Sequence, residues 1–308
     1  MKKILFFLLF ATTLAHATDT KELVSPYAPG GVVSSFGQVV QKYIVEDLKI
    51  NMVLVNKPGA DARIGVKYVA GQPADGNTWI VAATGPFLFN QVVYNDPGYQ
   101  VADFDLVVPM AQSPSIIAVS NQSGIATLNE FIQQARTKPL NCGVSNSGAV
   151  FLSNILIREL KLTQIQLINF KGASEVSTAL MNGTIDCSVD TLQSQLRYHN
   201  DQRLKIIAIS SQTHNTDVPQ AKLFSSVIPK FSFYSWYGIG VLKSTPLKDK
   251  ALILQAMRNI NQNKNYRQSI HSIGLEIGDP AIDPQQFIQT EYQRFDAIRK
   301  ALNIDKIL

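Results

Sequence analysis

The feature that most constrains this chain is a regular alternation of short apolar segments with longer amphipathic ones. Residues 22–25, 52–55 and 79–82 are predicted strands, while residues 34–48 and 63–71 space their apolar side chains as helices do. Alternating strands and helices form right-handed βαβ units, which place parallel strands in one sheet with helices on both faces. The sequence therefore predicts an α/β fold built on mainly parallel sheets.

The same alternation begins again after residue 115. Strands are predicted at 116–119, 141–144, 166–170, 185–189 and 204–209, and helices at 127–137, 150–160, 174–181, 248–263 and 284–302. A chain of 308 residues corresponds to two domains or to one large α/β unit. Its 45% hydrophobic content excludes a disordered chain, and a formal charge of +5 without a Lys/Arg run argues against nucleic-acid binding.

The first residues have the pattern of an export signal. Lys2 and Lys3 precede an apolar run over residues 4–10, and Ala15-His16-Ala17 supplies small residues where a signal peptidase cleaves. The run is too short to cross a bilayer, so we predict a cleaved signal peptide over residues 1–17. The mature protein is expected in the periplasm.

Two cysteines, Cys142 and Cys187, enter an oxidising compartment with the exported chain. Each lies in a short apolar segment that is predicted to be an interior strand, where a buried free thiol is common. A disulfide between them stays open at this point, and free thiols are the favoured interpretation.

Loops that follow strands are the candidate binding segments, because ligands of open α/β sheets lie beyond the carboxyl ends of the strands and anions bind at helix N-termini. Four such loops are rich in glycine and hydroxyl residues. The candidate ligand-binding residues are Tyr27, Ala28, Gly30, Gly31, Val32, Ser34 and Ser35; Thr84, Gly85, Pro86 and Phe87; Ser145, Ser147, Gly148 and Ala149; Lys171, Gly172 and Ala173; and Asp190. Ser34 or Ser35 is expected to cap the first helix. A plain turn is the alternative for each loop, but together they predict an anion-binding cleft between two lobes.

The sequence lacks the usual signatures of a catalytic site. Residues 143–147 (Gly-Val-Ser-Asn-Ser) lack the last glycine of a nucleophile elbow. No histidine beyond the predicted signal stands in triad spacing with an acid, and no zinc-ligand spacing occurs, so neither an enzyme nor a metal or cofactor site is expected. Tyr234 and Tyr237 are interpreted as packing residues of a strand that crosses between lobes.

An ordered set of short motifs carries a family resemblance. The motifs are Tyr27-Ala28-Pro29-Gly30-Gly31, Val55-Asn56-Lys57-Pro58-Gly59-Ala60 with Ile64-Gly65, Ala74-Asp75-Gly76-Asn77-Thr78, Asp103-Phe104, Phe170-Lys171-Gly172, Gly183-Thr184-Ile185-Asp186, Trp236-Tyr237-Gly238 and Ser244-Thr245-Pro246. This set resembles the Bug family, the TctC-like periplasmic solute-binding receptors of tripartite tricarboxylate transporters.

The resemblance implies a two-lobed, Venus-flytrap fold in which the chain crosses twice between lobes. Lobe one would comprise residues 18–113 and 234–308, and lobe two residues 114–233. It further implies a monomer that holds a small carboxylate through backbone N–H groups, hydroxyls and waters, without a cofactor, and delivers it to the membrane subunits of a transporter. A receptor for a sensor system, or an exported enzyme using the same cleft, are the alternatives.

Departures from the family pattern bear on the ligand. Ser34 stands where the family usually has Asp, and residues 61–63 are Asp-Ala-Arg where Gly-Gly-Asn is usual. Because the missing Asp could recognise an amino group, we expect a carboxylic acid without a charged amine. An apolar portion of that acid is expected beside Val32, Val33 and Phe87.

Overall fold

A computed structural model describes residues 20–231, 233–278, 282–301, 303–304 and 306, so the predicted signal peptide lies outside the described residues. The strands are β1 Lys21–Ser25, β2 Met52–Asn56, β3 Thr78–Ala83, β4 Phe104–Ser120, β5 Leu140–Val144, β6 Ile165–Asn169, β7 Cys187–Thr191, β8 Leu204–Ile209, β9 Lys222–Leu223, β10 Tyr234–Leu242 and β11 Glu276–Ile277. The helices are α1 Val32–Leu48, α2 Arg63–Ala70, α3 Asn90–Val93, α4 Leu128–Thr137, α5 Ser147–Glu159, α6 Ala173–Met181, α7 Leu192–Asn200, α8 Leu247–Gln262, α9 Lys264–Ser272 and α10 Pro284–Ala301. Within these described ranges, no helix is both long and apolar enough to cross a bilayer.

The strands form two groups that share β4, in the order β2-β1-β3-β10-β4 and β4-β7-β5-β6. Within the first group, β1 pairs parallel with β2 and β3; within the second, β5 pairs parallel with β6 and β7. This parallel pairing follows from the strand–helix alternation, because a helical crossover returns the chain in the same direction. The two long strands β4 and β10 add antiparallel pairs that the alternation did not predict.

Strand β4 is the first connection between the two groups. It pairs with β10 up to Pro114 and with β7 and β8 from Ser115 onward, so the segment predicted as a short strand at 116–119 is only its end. The chain returns at Phe233. Ser210 joins the two crossings, since its hydroxyl accepts from the Ser115 N–H at 2.8 Å and donates to the Phe233 carbonyl. The outcome is the predicted two-lobed α/β fold.

Apolar side chains pack in both groups and also between them. Leu23, Phe36 and Trp79 belong to a cluster in the first group. Beside the crossings, Phe89 stacks on Phe233 with ring centroids 5.3 Å apart, within a cluster that also contains Phe151 of α5 and Phe295 of α10. Such ring pairs contribute more to the stability of the fold than their buried apolar area alone would. The C-terminal helix therefore packs against α5 rather than against the first group alone.

Two helix starts differ from those expected. Helix α1 begins at Val32 after Gly31, and no side chain caps it; the expectation that Ser34 or Ser35 does so is wrong. Ser34 instead lies in the first turn, fully buried, where its hydroxyl accepts from the Asn56 amide at 2.9 Å. Helix α5 begins at Ser147, not at 150, because the Asn146 side chain accepts from the Ala149 N–H and starts the helix earlier.

The segment after β3, expected to be a loop, is also helical. A π-helical turn spans Gly85–Phe89 and continues directly into α3. Leu88 and Phe89 bury their side chains in the cluster beside the crossings, so tertiary packing rather than local propensity selects this conformation.

Cys142 and Cys187 form a disulfide, and the interpretation as free thiols is wrong. Strands β5 and β7 are parallel neighbours whose register puts the two residues opposite each other. Their Cα atoms are 4.5 Å apart, which is close enough for a bond between strands. The pairing of β5 with β7 could not be predicted from the sequence, because two helices and another strand lie between them in the chain.

Candidate ligand-binding site

The carboxyl ends of the two strand groups point at each other. Strands β1, β2 and β3 run in the same direction as β4, because β3 and β4 are both antiparallel to β10. Strands β5, β6 and β7 run opposite to β4, because β7 is antiparallel to it. The loops after both sets of strands therefore meet where β4 crosses, and this is where an α/β sheet binds ligands. We call this meeting region the cleft.

Direct hydrogen bonds join the loops across the cleft. The Ser147 hydroxyl, in the first turn of α5, donates to the Asn90 Oδ1 at 3.1 Å. The Asn90 amide donates in turn to the Asp61 carbonyl at 2.8 Å. Both Asn90 and Ser147 are buried. Asn90 thus connects the loop after β2 with the start of α5.

The same serine affects the Asp61 carboxylate. Burial raises the pKa of the Asp61 carboxyl above its usual value, and Ser147 opposes part of that rise. The hydrogen-bond partner of the Ser147 hydroxyl itself is the Asn90 side chain.

A fully enclosed carboxylate, Asp190, is the last residue but one of β7. Its oxygens accept from the Thr191 N–H at 2.7 Å and from the Ser145 hydroxyl at 3.2 Å. Burial raises the pKa of Asp190 to about 6, although these hydrogen bonds oppose the shift. Burial raises the pKa of the Tyr237 hydroxyl, and the charge of Asp190 raises it further.

The charge of Asp61 acts on three tyrosine hydroxyls. Tyr27, Tyr94 and Tyr99 all have a pKa raised first by burial and further by the Asp61 charge. A Cβ at Gly85 would lie within 2.5 Å of the Tyr27 hydroxyl oxygen, so this glycine is needed for the close approach. The cleft thus combines two carboxylates, several hydroxyls and backbone donors.

The predicted site residues all lie at the facing strand ends, but with different surroundings. Ala28, Gly30, Gly31 and Lys171 are exposed; Tyr27, Val32, Ser35, Ser145, Gly172 and Ala173 are partly buried, as is Gly85; Ser34, Thr84, Pro86, Phe87, Ser147, Gly148, Ala149 and Asp190 are buried. Phe87 is only 1% exposed and packs edge-on against Phe104 at 5.3 Å. The Thr84 hydroxyl accepts from the Trp236 N–H at 2.6 Å. The Phe87 and Thr84 side chains therefore take part in the internal packing and hydrogen bonding of lobe one.

Two further predicted site residues are glycines at helix starts, and their surroundings differ. A Cβ on Gly148 would lie 2.9 Å from the Phe89 ring, so its lack of a side chain lets α5 approach that ring. Gly172 starts α6 without a side-chain cap, and a Cβ there would meet nothing within 4 Å. The start of α6 therefore has unpaired N–H groups beside open space.

Sequence reasoning missed Asp61, Asn90, Tyr94 and Tyr99 as parts of this region. Asp61 was noted only as a departure from a family pattern, and its acidic side chain next to a glycine-rich loop was the available signal. Arg63, at the start of α2, places its guanidinium over the Tyr94 ring at 4.5 Å. Among the residues that the structure describes, no group of three or more His, Cys, Asp or Glu side chains is arranged to hold a metal ion.

Solved structures of similar proteins identify the fold. The R. palustris protein Rpa4515 with adipate superposes with a TM-score of 0.88, at 22% identity over 95% of this chain and 100% of that one. MatC from Rhodopseudomonas palustris with bound malate gives 0.82, at 20% identity over 91% and 98%. The periplasmic binding protein BugD gives 0.84, at 17% identity over 94% and 99%. The fold is thus that of two-lobed periplasmic binding proteins.

The sequence comparison then identifies the family. The model of the tripartite tricarboxylate transporter family receptor, TctC, matches residues 37–304. Protein BugT of Bordetella pertussis is 22% identical over 287 residues, which cover 90% of this chain and 87% of BugT. This chain belongs to the TctC family of receptors, a family of solute-binding proteins rather than of enzymes.

Proposed function

We propose that this protein is an extracytoplasmic receptor that captures a small carboxylated molecule in the cleft. Lobe one comprises residues 18–113 and 234–308, and lobe two residues 114–233. The receptor is a periplasmic monomer, exported by the signal peptide at 1–17, and presents its ligand to the membrane subunits of a tripartite tricarboxylate-type transporter.

The proposal rests on one observation. The carboxyl ends of the strands in the two lobes face each other, and helices begin just after them. Helices α1 and α6 begin at Gly31 and Gly172 with no side-chain cap, so their first N–H groups are available to an acid. Each exposed helix start attracts an anion by about 0.3–1 kcal/mol, and by more once water is excluded. Closure of the two lobes would exclude that water.

The ligand class follows from the acceptors of the cleft. Two structurally similar proteins hold adipate and malate. The Asp190 oxygens accept hydrogen bonds from donors of their own lobe, so this carboxylate is not reserved for an ammonium group. Ser34, which replaces the usual acid of the first loop, is buried and bonded to Asn56. The proposed ligand is therefore a carboxylic acid without a charged amine.

Calorimetry on the mature protein tests the ligand class. Adipate, malate, benzoate, aspartate and glutamate are titrated at the same pH, and saturable heat is expected for at least one acid without an amine. Binding of aspartate or glutamate alone would refute the ligand class. Consumption of a bound acid during incubation would favour the enzyme alternative over the receptor.

A substitution at the start of α6 tests the location. Gly172→Asp fits the open space there, and its carboxylate would cap the helix and occupy the N–H groups that an acid needs. We expect adipate or malate affinity, whichever acid binds, to fall at least tenfold. Gly172→Asn, with the same shape and no charge, should lose less. Equal affinity of both variants and the wild type would exclude the start of α6 from the site.

A further inference from the structure

The guanidinium of Arg63 is held in place by lobe one at two points. Its Nε donates to the Ala60 carbonyl at 2.9 Å, and its Cζ lies 4.5 Å from the centroid of the Tyr94 ring. A guanidinium that stacks on an aromatic ring keeps its edge available, and that edge can bind a carboxylate through two parallel hydrogen bonds. The orientation of Arg63 is therefore set by the chain itself and does not depend on a bound acid.

The terminal nitrogens of Arg63 are available for a ligand. In the part of the chain that the structure describes, Nη1 and Nη2 donate no hydrogen bond, and no carboxylate oxygen lies within 4.0 Å of them. Since Nε uses one of the five N–H groups of the side chain, four remain. Arg63 is also partly buried, so an anion that pairs with it would replace water that the cation has lost.

Asp61, two residues earlier in the chain, does not take the place of such an anion. Burial raises the pKa of the Asp61 carboxyl, and the charge of Arg63 lowers it only in part. A carboxylate joined directly to a guanidinium would have a lowered pKa instead. The absence of an ion pair within 4.0 Å between these two described residues agrees with this direction.

The start of α2, which carries Arg63, packs directly on the loop after β1. A Cβ on Gly65 would lie 2.7 Å from the Cα of Pro26. The Asn56 amide, at the end of β2, also donates to the Tyr27 carbonyl of that loop at 2.8 Å. Because the loop leads into the uncapped start of α1, the cation and the N–H groups proposed to bind an acid lie on adjoining segments.

The ring beneath Arg63 lies where the two lobes meet. Tyr94 packs against the apolar cluster that contains Phe151 of α5. Asn90, one turn earlier, accepts from the Ser147 hydroxyl at 3.1 Å. Arg63 therefore stands at the edge of the cleft, where closure of the lobes would exclude water and strengthen an ion pair.

We propose that Arg63 is a specificity-determining residue, whose terminal nitrogens bind the second carboxylate of a dicarboxylic acid while the start of α1 holds the first. The receptor would then select diacids over monoacids of the same length. This proposal rests on the proposed function, because it takes a carboxylate to be bound in the cleft.

Paired ligands that differ by one charge test the role of Arg63. Succinate, glutarate and adipate are compared by calorimetry with their monoamides, which keep the length and one carboxylate. The wild type should bind at least one diacid tenfold more tightly than its monoamide. Arg63→Gln should remove this preference, weakening the diacid about tenfold and the monoamide less than twofold. Arg63→Lys, which keeps the charge without the planar fork, should lie between the two.

Arg197 provides a matched control. Its guanidinium lies 4.5 Å from the Tyr198 ring, the same distance as at Arg63, but it is exposed in the last turn of α7. Arg197→Gln removes the same charge and the same kind of stacking, and it should leave the affinities for diacid and monoamide unchanged. Thermal unfolding shows whether each variant folds, and Arg63→Lys replaces Arg63→Gln if the glutamine variant does not.

The outcomes separate this proposal from the proposed function. Equal losses for diacid and monoamide in Arg63→Gln, or no loss for either, would overturn the role of Arg63 while the carboxylate receptor stands. A wild type that binds diacids no better than their monoamides, or that binds benzoate and no diacid, has the same meaning. If no acid binds the wild type, the receptor proposal fails and the role of Arg63 fails with it.

Discussion

The two carboxylates of the cleft, the buried Asp190 and the partly buried Asp61, are positioned in different ways. Asp190 is the last residue but one of a regular strand, β7, and accepts hydrogen bonds from its own lobe, from Thr191 and Ser145. Asp61 stands on a left-handed loop, where its backbone carbonyl accepts from the Asn90 amide at 2.8 Å. The strand under Asp190 is further joined to β5 by the disulfide between Cys142 and Cys187.

The difference shows what each carboxylate is suited to do. A group held by its own strand, its neighbours and a covalent bond keeps its position whether the lobes are together or apart. A group on a strained loop depends on the few contacts that hold the loop, here the hydrogen bond from Asn90. Asp190 therefore belongs to the framework of the cleft, whereas the position of Asp61 depends on the conformation of its loop.

The largest expected effect comes from the disulfide under Asp190. Replacing both cysteines by alanine should lower the free energy of unfolding by about 4 kcal/mol, since the bond closes a loop across a separation of 45 residues. Urea unfolding of the oxidised protein measures this loss. Reduction of the wild type should lower stability similarly, whereas an unchanged unfolding midpoint in both cases would show that the bond does not anchor this lobe.

Asp190 itself should make stability depend on pH. Because its folded pKa of about 6 exceeds the ordinary value of 3.8, the unfolded chain releases this proton first as pH rises. Stability from this group is complete below pH 4 and is lost as pH rises through 6, by about 3 kcal/mol in total. Asp190→Asn removes this loss, so its unfolding free energy relative to the wild type should increase between pH 4 and pH 7.5.

Denaturant titrations across that pH range test the prediction, with Asp201→Asn as a control that removes the same charge from an exposed position. Parallel pH profiles of Asp190→Asn and the wild type would show that the Asp190 carboxyl is not perturbed by burial.

The smallest expected effect concerns the strained loop of Asp61. Ala60 is exposed and left-handed, so Ala60→Gly removes strain at the expense of a more flexible unfolded chain, with a net gain of about 0.5 kcal/mol. The matched change Ala126→Gly, at an exposed alanine without positive φ, should instead lower stability by about 0.5–1 kcal/mol. Urea midpoints measured side by side give the two signs, and a loss at both positions would argue against strain at Ala60.

Much of the fold could be predicted from local patterns, and the exceptions have physical reasons. Strand β8 occupies the predicted 204–209, and helix α6 begins one residue before the predicted position. These elements follow local apolar spacing. Strand β4 was predicted only at its end, and the turn at Gly85–Phe89 was missed, because long-range partners stabilise both.

The binding region shows the same division. The loops that follow the strands were predictable, because their glycines and hydroxyls lie at strand ends wherever the sheet places them. The placement of Asp61 was not, since it depends on a hydrogen bond from Asn90, 29 residues later, and no local rule relates the two. The same holds for Asn90, whose partners come from before and after it in the chain.

By itself, the sequence determined the alternation of strands and helices, the predicted export signal and the motifs that the family shares, because each depends on neighbours within a few turns of chain. Tertiary structure decided the pairing of Cys142 with Cys187, the single strand that serves both lobes and the hydrogen bond between Asn90 and the start of α5. Each of these depends on the direction in which distant strands run past one another, and hydrophobic packing sets that direction only once the whole chain has folded.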